Sequence, residues 1–188
     1  MRQDIASRLP TAPNNQVIIL VGPKGSGKTT IGALLASEFG IQFVRVESLF
    51  LEVGAHIGSS HPSFERCGFE RVLSTLRRTL SQHDSVCFES TGASQHFLWL
   101  VNELAHIASV FLVRIVATQD QCTDRIRNRN PLLHIPVSDD RVAEINSRAV
   151  TVNLAWAAEI DNSGPLNCQD ILSTIRHLRQ NNGNHSSA

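Results

Sequence analysis

Gly22-Pro23-Lys24-Gly25-Ser26-Gly27-Lys28-Thr29 follows the apolar run Val17 to Val21 and reads G-x-x-x-x-G-K-[ST]. A loop of this composition lets backbone N–H groups converge on phosphate oxygens. The lysine reaches the β- and γ-phosphates, and the threonine hydroxyl is suited to Mg²⁺. The β-branched run before the loop predicts a short buried strand. The residues after it place Ile31, Leu34, Leu35 and Phe39 on one helical face, with Gly40 as the stop. Strand, glycine-rich loop and helix together predict a nucleoside triphosphate site.

Further strand-like runs occur at Gln42–Val46, Ser85–Phe88, Val110–Ala117 and Trp156–Ile160. Helical periodicity fills the intervals. Phe69, Leu73, Leu76 and Leu80 share one face, as do Phe97, Val101, Leu104 and Ala108, and then Ile171, Leu172, Ile175 and Leu178. Strands alternating with helices predict an α/β fold of right-handed βαβ units around a parallel sheet, with ligands at the carboxyl ends of the strands. Residues 1–15 are polar with Pro10 and Pro13, and residues 180–188 are rich in Asn and Ser. Both ends are expected to be loosely held around one domain spanning residues 16–179.

Lys and Arg together number 17, and so do Asp and Glu, so the formal net charge of the 188 residues is zero. Neither a basic field for nucleic acid nor a basic amphipathic helix for a membrane surface is present, which points to small-molecule partners. Cys67, Cys87, Cys122 and Cys168 form no C-x-x-C pair and suit reduced thiols. With no apolar run longer than a strand, the expected location is cytoplasmic. The eight histidines show no metal-ligand spacing.

Polar residues at strand ends are the candidates for chemistry. Glu47 ends the run from Gln42, with Ser48 as a possible helix cap. A carboxylate on that sheet edge can orient an attacking hydroxyl or take its proton. Glu89 closes Val86-Cys87-Phe88 and precedes Ser90-Thr91-Gly92; it resembles a Walker B carboxylate, which would hold Mg²⁺ together with Thr29. Arg125 and Arg129 are i,i+4 on one helical face, where two guanidiniums can stack on a base and neutralise a transferring phosphoryl group. Residues 130–138 lack helical period, and Pro131 and Pro136 bracket His134, as in a short lid that excludes water. The helix from Asp139 carries Arg141 and Arg148, the latter better placed to reach back toward phosphate. Arg66 and Arg71, after a loop at residues 54–62, are candidates for an anionic group on the acceptor.

This order of features resembles the small P-loop kinases, which include nucleoside monophosphate kinases and shikimate kinases: the loop Gly22–Thr29, Glu47, Glu89, Arg125-x-x-x-Arg129 before a proline-containing break, and Ile160-Asp161-Asn162. The resemblance spans about residues 16–179. It implies a three-layer P-loop sandwich with a five-stranded parallel sheet of order 2-3-1-4-5, a short lid, and ATP with Mg²⁺ as the donor pair. It further implies that Gly22, Pro23, Lys24, Gly25, Ser26, Gly27, Lys28, Thr29, Thr30 and Arg125 bind the nucleotide. Lys28, Glu47, Arg125 and Arg129 would act in transfer, and Glu47, Arg66, Arg71, Gly92 and Arg148 would meet the acceptor.

The expected activity is γ-phosphoryl transfer to a hydroxyl-bearing metabolite or a nucleotide; the acceptor and the oligomeric state stay open. Two other readings also stand. Glu89-Ser90-Thr91-Gly92 loosely echoes the D-x-x-G element of a nucleotide switch, although the guanine-reading N-K-x-D is absent. A regulatory module that binds ATP without transferring it is also compatible with the neutral surface.

Overall fold

The structure, a computed structural model, describes residues 15–128 and 138–183. Its elements in chain order are β1 (Gln16–Val21), α1 (Lys28–Phe39), β2 (Gln42–Val44), α2 (Val46–Ile57), α3 (Phe64–Leu80), β3 (Ser85–Ser90), α4 (Phe97–Ala105), β4 (Ser109–Val116), α5 (Gln119–Arg127), α6 (Asp139–Val150), β5 (Ala158–Asp161) and α7 (Cys168–Gly183). The strands form one sheet in the order β2-β3-β1-β4-β5, and every pairing is parallel. This is the α/β architecture and the 2-3-1-4-5 order expected from the sequence.

Strand β1 explains the layering. Successive strand side chains point to opposite faces. Val17, Ile19 and Val21 accordingly join Val72, Leu76, Leu100 and Leu104 of α3 and α4 on one side of the sheet. Ile18 and Leu20 join Ile31, Leu35, Ile171 and Ile175 of α1 and α7 on the other. None of these strand residues is more than 1% exposed, as expected for a parallel strand covered on both faces. Because β1 lies between β3 and β4, its carboxyl end opens where the strand order reverses, the usual ligand crevice of such sheets.

Beyond shifts of one or two residues at the ends of β1, β3 and β4, three boundaries differ from the sequence reading. The second strand stops at Val44 rather than Val46, and α2 begins at Val46, so Glu47 lies in a first helical turn and Arg45, not Ser48, occupies the cap position. Packing decides this. Leu49 is buried, and the Phe50 ring meets Phe69 edge-on at 5.6 Å, so an amphipathic turn gains more contact here than a longer edge strand would. The same helix runs on to Ile57 through much of the expected 54–62 loop. The last strand is shifted to Ala158–Asp161; Trp156 leaves the sheet and lies partly buried on the core, with the Arg114 guanidinium 5.9 Å from its ring centre.

Of the expected lid at residues 130–138, residues 130–137 lie outside the described residues, as does Arg129; Ser138 caps α6 by accepting from the Arg141 N–H. Among the described residues no helix is long and apolar enough to cross a membrane, and all four cysteines are free.

Replacing Leu76, which is fully buried against β1 on the α3 face, by alanine is expected to lower stability by about 2 to 5 kcal/mol, measured by urea unfolding.

Candidate active site

The turn after β1 is built by glycines that other residues press against. Gly25 and Gly27 have φ of +84° and +92°, a region L side chains rarely occupy. A Cβ would also lie 2.2 Å from the Cys122 carbonyl oxygen at Gly25 and 2.2 Å from Asn162 Nδ2 at Gly27. Helix α1 starts at Lys28 with no side-chain cap and no acidic residue in its first turn. Its leading N–H groups and the positive end of its dipole are left for an anion.

Four side chains fix this loop. The Lys28 ammonium folds back to donate to the carbonyls of Gly22 (2.8 Å) and Pro23 (2.6 Å). Asn162, just past β5 and buried, donates from Nδ2 to the Ser26 carbonyl at 2.8 Å. Arg125 of α5 donates to the Asn162 carbonyl at 3.0 Å and to the Gly25 carbonyl at 3.5 Å. From α6, Asn146 grips Lys24 twice: Oδ1 accepts from the Lys24 N–H at 2.7 Å, and Nδ2 donates to the Lys24 carbonyl at 3.1 Å. Asn146 was not singled out in the sequence, and Asn162 only within the Ile160-Asp161-Asn162 run of the family resemblance. Each acts on a residue more than a hundred positions away, so no local pattern marks this hold on the loop.

Burial lowers the Lys28 ammonium from its ordinary range to about 8; Lys24 adds to this and Glu89 opposes it. Thr29 Oγ1 donates to Glu89 Oε2 at 2.6 Å. These two oxygens are hard donors side by side at the mouth of the loop, which suits Mg²⁺, a cation that takes one or two protein oxygens and completes its shell with phosphate and water. No group of three or more His, Cys, Asp or Glu side chains among the described residues would form an all-protein cage.

Two hollows flank the loop and share Gly25 and Thr29. One, of about 380 Å³, is lined by Thr30, Arg125, Ile126, Asn162 and Leu166. The other, of about 270 Å³, brings together Lys24, Lys28, Glu47 and Glu89 with Phe50, Phe69, Ser94, Arg141 and Arg148. In it Glu47 Oε1 lies 3.7 Å from Lys24 Nζ, so the first turn of α2 carries the carboxylate to the loop even though the strand stops short. Arg148 donates to the Ala93 carbonyl. Gly92, with φ of +72°, packs against Val21 and Val152 and does not line the hollow.

Arg66 and Arg71 point elsewhere. Arg66 pairs with Glu70 at 3.2 Å and Arg71 with Glu52 at 3.0 Å, both on exposed surface, and α3 turns Glu65 and Phe69 to the cavity instead. Glu65 and Phe69 are four apart and share a face, whereas Arg66 lies about 100° round the helix.

Asn162→Ala leaves the buried Ser26 carbonyl without its donor. The expected cost is about 1 to 3 kcal/mol, read as a lower urea midpoint.

Residues 18–145 match the family model described as AAA domain. The chain is 33% identical over 125 residues to a shikimate kinase of Xanthomonas oryzae pv. oryzae, covering 65% of this chain and 67% of that protein. Among solved structures it is similar to a gluconokinase of Sinorhizobium meliloti, with a TM-score of 0.62 at 14% identity over 93% of this chain and 99% of that one. It is also similar to the shikimate kinase of Aquifex aeolicus, with a TM-score of 0.58 at 17% identity over 89% and 98%. With a phosphate loop at the carboxyl end of a 2-3-1-4-5 parallel sheet and relatives of this kind, the chain belongs to the small P-loop kinases, as an ATP-dependent small-molecule kinase.

Proposed function

We propose that the protein moves the γ-phosphoryl of ATP to a hydroxyl of a small acceptor seated between α2, α3 and α6. The observation that carries this reading is the meeting of Lys24, Lys28, Thr29, Glu47 and Glu89 in one cavity beside the loop. The hollow at Arg125 and Leu166 suits the nucleoside, the loop suits the phosphates, and the hollow at Glu47 is left for the acceptor.

Lys28 and the open first turn of α1 hold the β- and γ-phosphates in place of the Gly22 and Pro23 carbonyls that the ammonium now contacts. Thr29 and Glu89 would hold Mg²⁺, which when bound neutralises charge on the phosphates. Glu47 orients the acceptor hydroxyl and accepts its proton at Oε as the oxygen attacks the γ-phosphorus. Lys24, paired with Glu47, keeps that carboxylate near the loop. Arg141 and Arg148 line the same cavity and spread the charge of the transferring group. Arg125 belongs to the nucleoside side. Reaction lowers the barrier chiefly by positioning and fixed charge.

The test is transfer from γ-labelled ATP with Mg²⁺ into pooled metabolites and nucleosides, against a control without acceptor. Label in a small molecule is expected; tight ATP binding with no transfer overturns the reading. Glu47→Gln is expected to abolish transfer while leaving ATP binding within about threefold, whereas Lys28→Ala weakens both.

Lys28 gives a pH signature. With its pKa near 8 in the free protein, half of the ammonium is lost at pH 8, and bound phosphate draws it back to the charged form. ATP binding at pH 8 is therefore expected to take up about half a proton, fading toward pH 6.5 where the lysine is already charged. Calorimetry in buffers of different ionisation enthalpy measures this uptake, and Lys28→Ala should remove it.

A further inference from the structure

The acceptor hollow has a distribution of charge that narrows the class of molecule it takes. Its cations have partners: Lys24 faces Glu47 at 3.7 Å, Lys28 donates to the Gly22 and Pro23 carbonyls, Arg141 donates to Glu144, and Arg148 donates to the Ala93 carbonyl. The two arginines of α3 that would suit an anionic acceptor turn to Glu70 and Glu52 on the outer surface. Glu65 takes their place at the cavity wall, and among the described residues its carboxylate has no ion pair or hydrogen bond. Beside it are two aromatic walls, Phe50 from α2 and Phe69 one turn along α3, held edge to face with their centres 5.6 Å apart. Phe64 locks the other edge of Phe50 at 5.6 Å, so this aromatic corner is fixed.

A carboxylate next to aromatic rings attracts an ammonium by charge and by the ring quadrupole, and repels a carboxylate or phosphate at the same place. We propose that the acceptor is an amino alcohol: a small molecule whose hydroxyl faces Glu47 and whose ammonium rests on Glu65 beside the Phe50–Phe69 pair. This rests on the phosphotransferase reading above and names its substrate class. In the reaction the acceptor oxygen forms a bond to the γ-phosphorus and the bond from that phosphorus to the β,γ-bridging oxygen breaks. ADP leaves with the electron pair, and the hydroxyl proton passes to Glu47. The amine stays protonated throughout, so Glu65 orients the acceptor and takes no proton. Glu65 also lies in the first turn of α3, where a carboxylate suits the helix dipole; the test must therefore separate selectivity from helix stability.

Transfer from γ-labelled ATP is measured into three pools matched in carbon skeleton: amino alcohols and amino sugars such as 2-amino-1,3-propanediol and glucosamine, the corresponding neutral alcohols such as glycerol and glucose, and the corresponding hydroxy acids such as glycerate and gluconate. Label is expected chiefly in the amine pool. Glu65→Gln is expected to raise KM for the labelled amine about tenfold with little change in kcat, Glu65→Asp to restore part of that loss, and Glu65→Arg to shift preference toward the acids. Glu70→Gln, on the outer face of the same helix, should leave the preference unchanged. Label confined to neutral or acidic acceptors, or an amine preference that survives Glu65→Gln and Glu65→Arg, overturns the assignment while leaving the kinase reading intact. No label in any of these pools overturns the assignment, and no label in the wider pool of metabolites and nucleosides either, with ATP still bound, overturns both.

Discussion

A loop that leaves N–H groups for an anion has fewer of them to hold itself together, and the partners of its carbonyls answer that constraint. The loop carbonyls of Ser26, Gly25 and Lys24 are held from other elements, by Asn162, Arg125 and Asn146. These partners come from α5, α6 and the end of β5. The Gly22 and Pro23 carbonyls instead hold the Lys28 ammonium, the one loop contact that phosphate would replace. Apart from that lysine, the loop shape is a property of the whole sheet edge, and dipoles held in this way suit a lowered barrier.

How far the sequence could be read depended on the range of each interaction. The apolar run Val17–Val21 and the glycine pattern after it are local, and the strand, loop and helix follow from them. The alternation of strands and helices predicted the parallel sheet, and the family resemblance its order. Glu47 was legible by residue type but not by element, because the choice between a longer strand and an early helix was made by Leu49 and Phe50 packing against α3. The phase of α3 was the harder problem. Arg66 and Glu65 are adjacent in sequence, and only the burial of Phe69 shows which of them faces the cavity. The hold of Asn146 and Asn162 on the loop was invisible for a different reason: an amide that binds backbone a hundred residues away leaves no trace of that contact in its own neighbourhood.

The charges of the site are layered by burial. Lys28 is nearly inaccessible, and its position costs it much of its basicity. Lys24 and Glu47 are half-buried and compensate each other, while Arg141, Arg148 and Glu65 stand at the rim. The inner charges are the ones whose strength a dry environment raises. The rim charges are more strongly screened by solvent.

The double hydrogen bond between Asn146 and the Lys24 peptide has a mechanical consequence. It ties the backbone of the phosphate loop to the same helix that carries Arg141 and Arg148 to the wall of the neighbouring cavity. A tilt of α6 would then be felt on both sides of the loop. Thermodynamic reciprocity requires that any factor by which one ligand changed the affinity of the other through this helix would be returned in equal measure, with a single amide as the link.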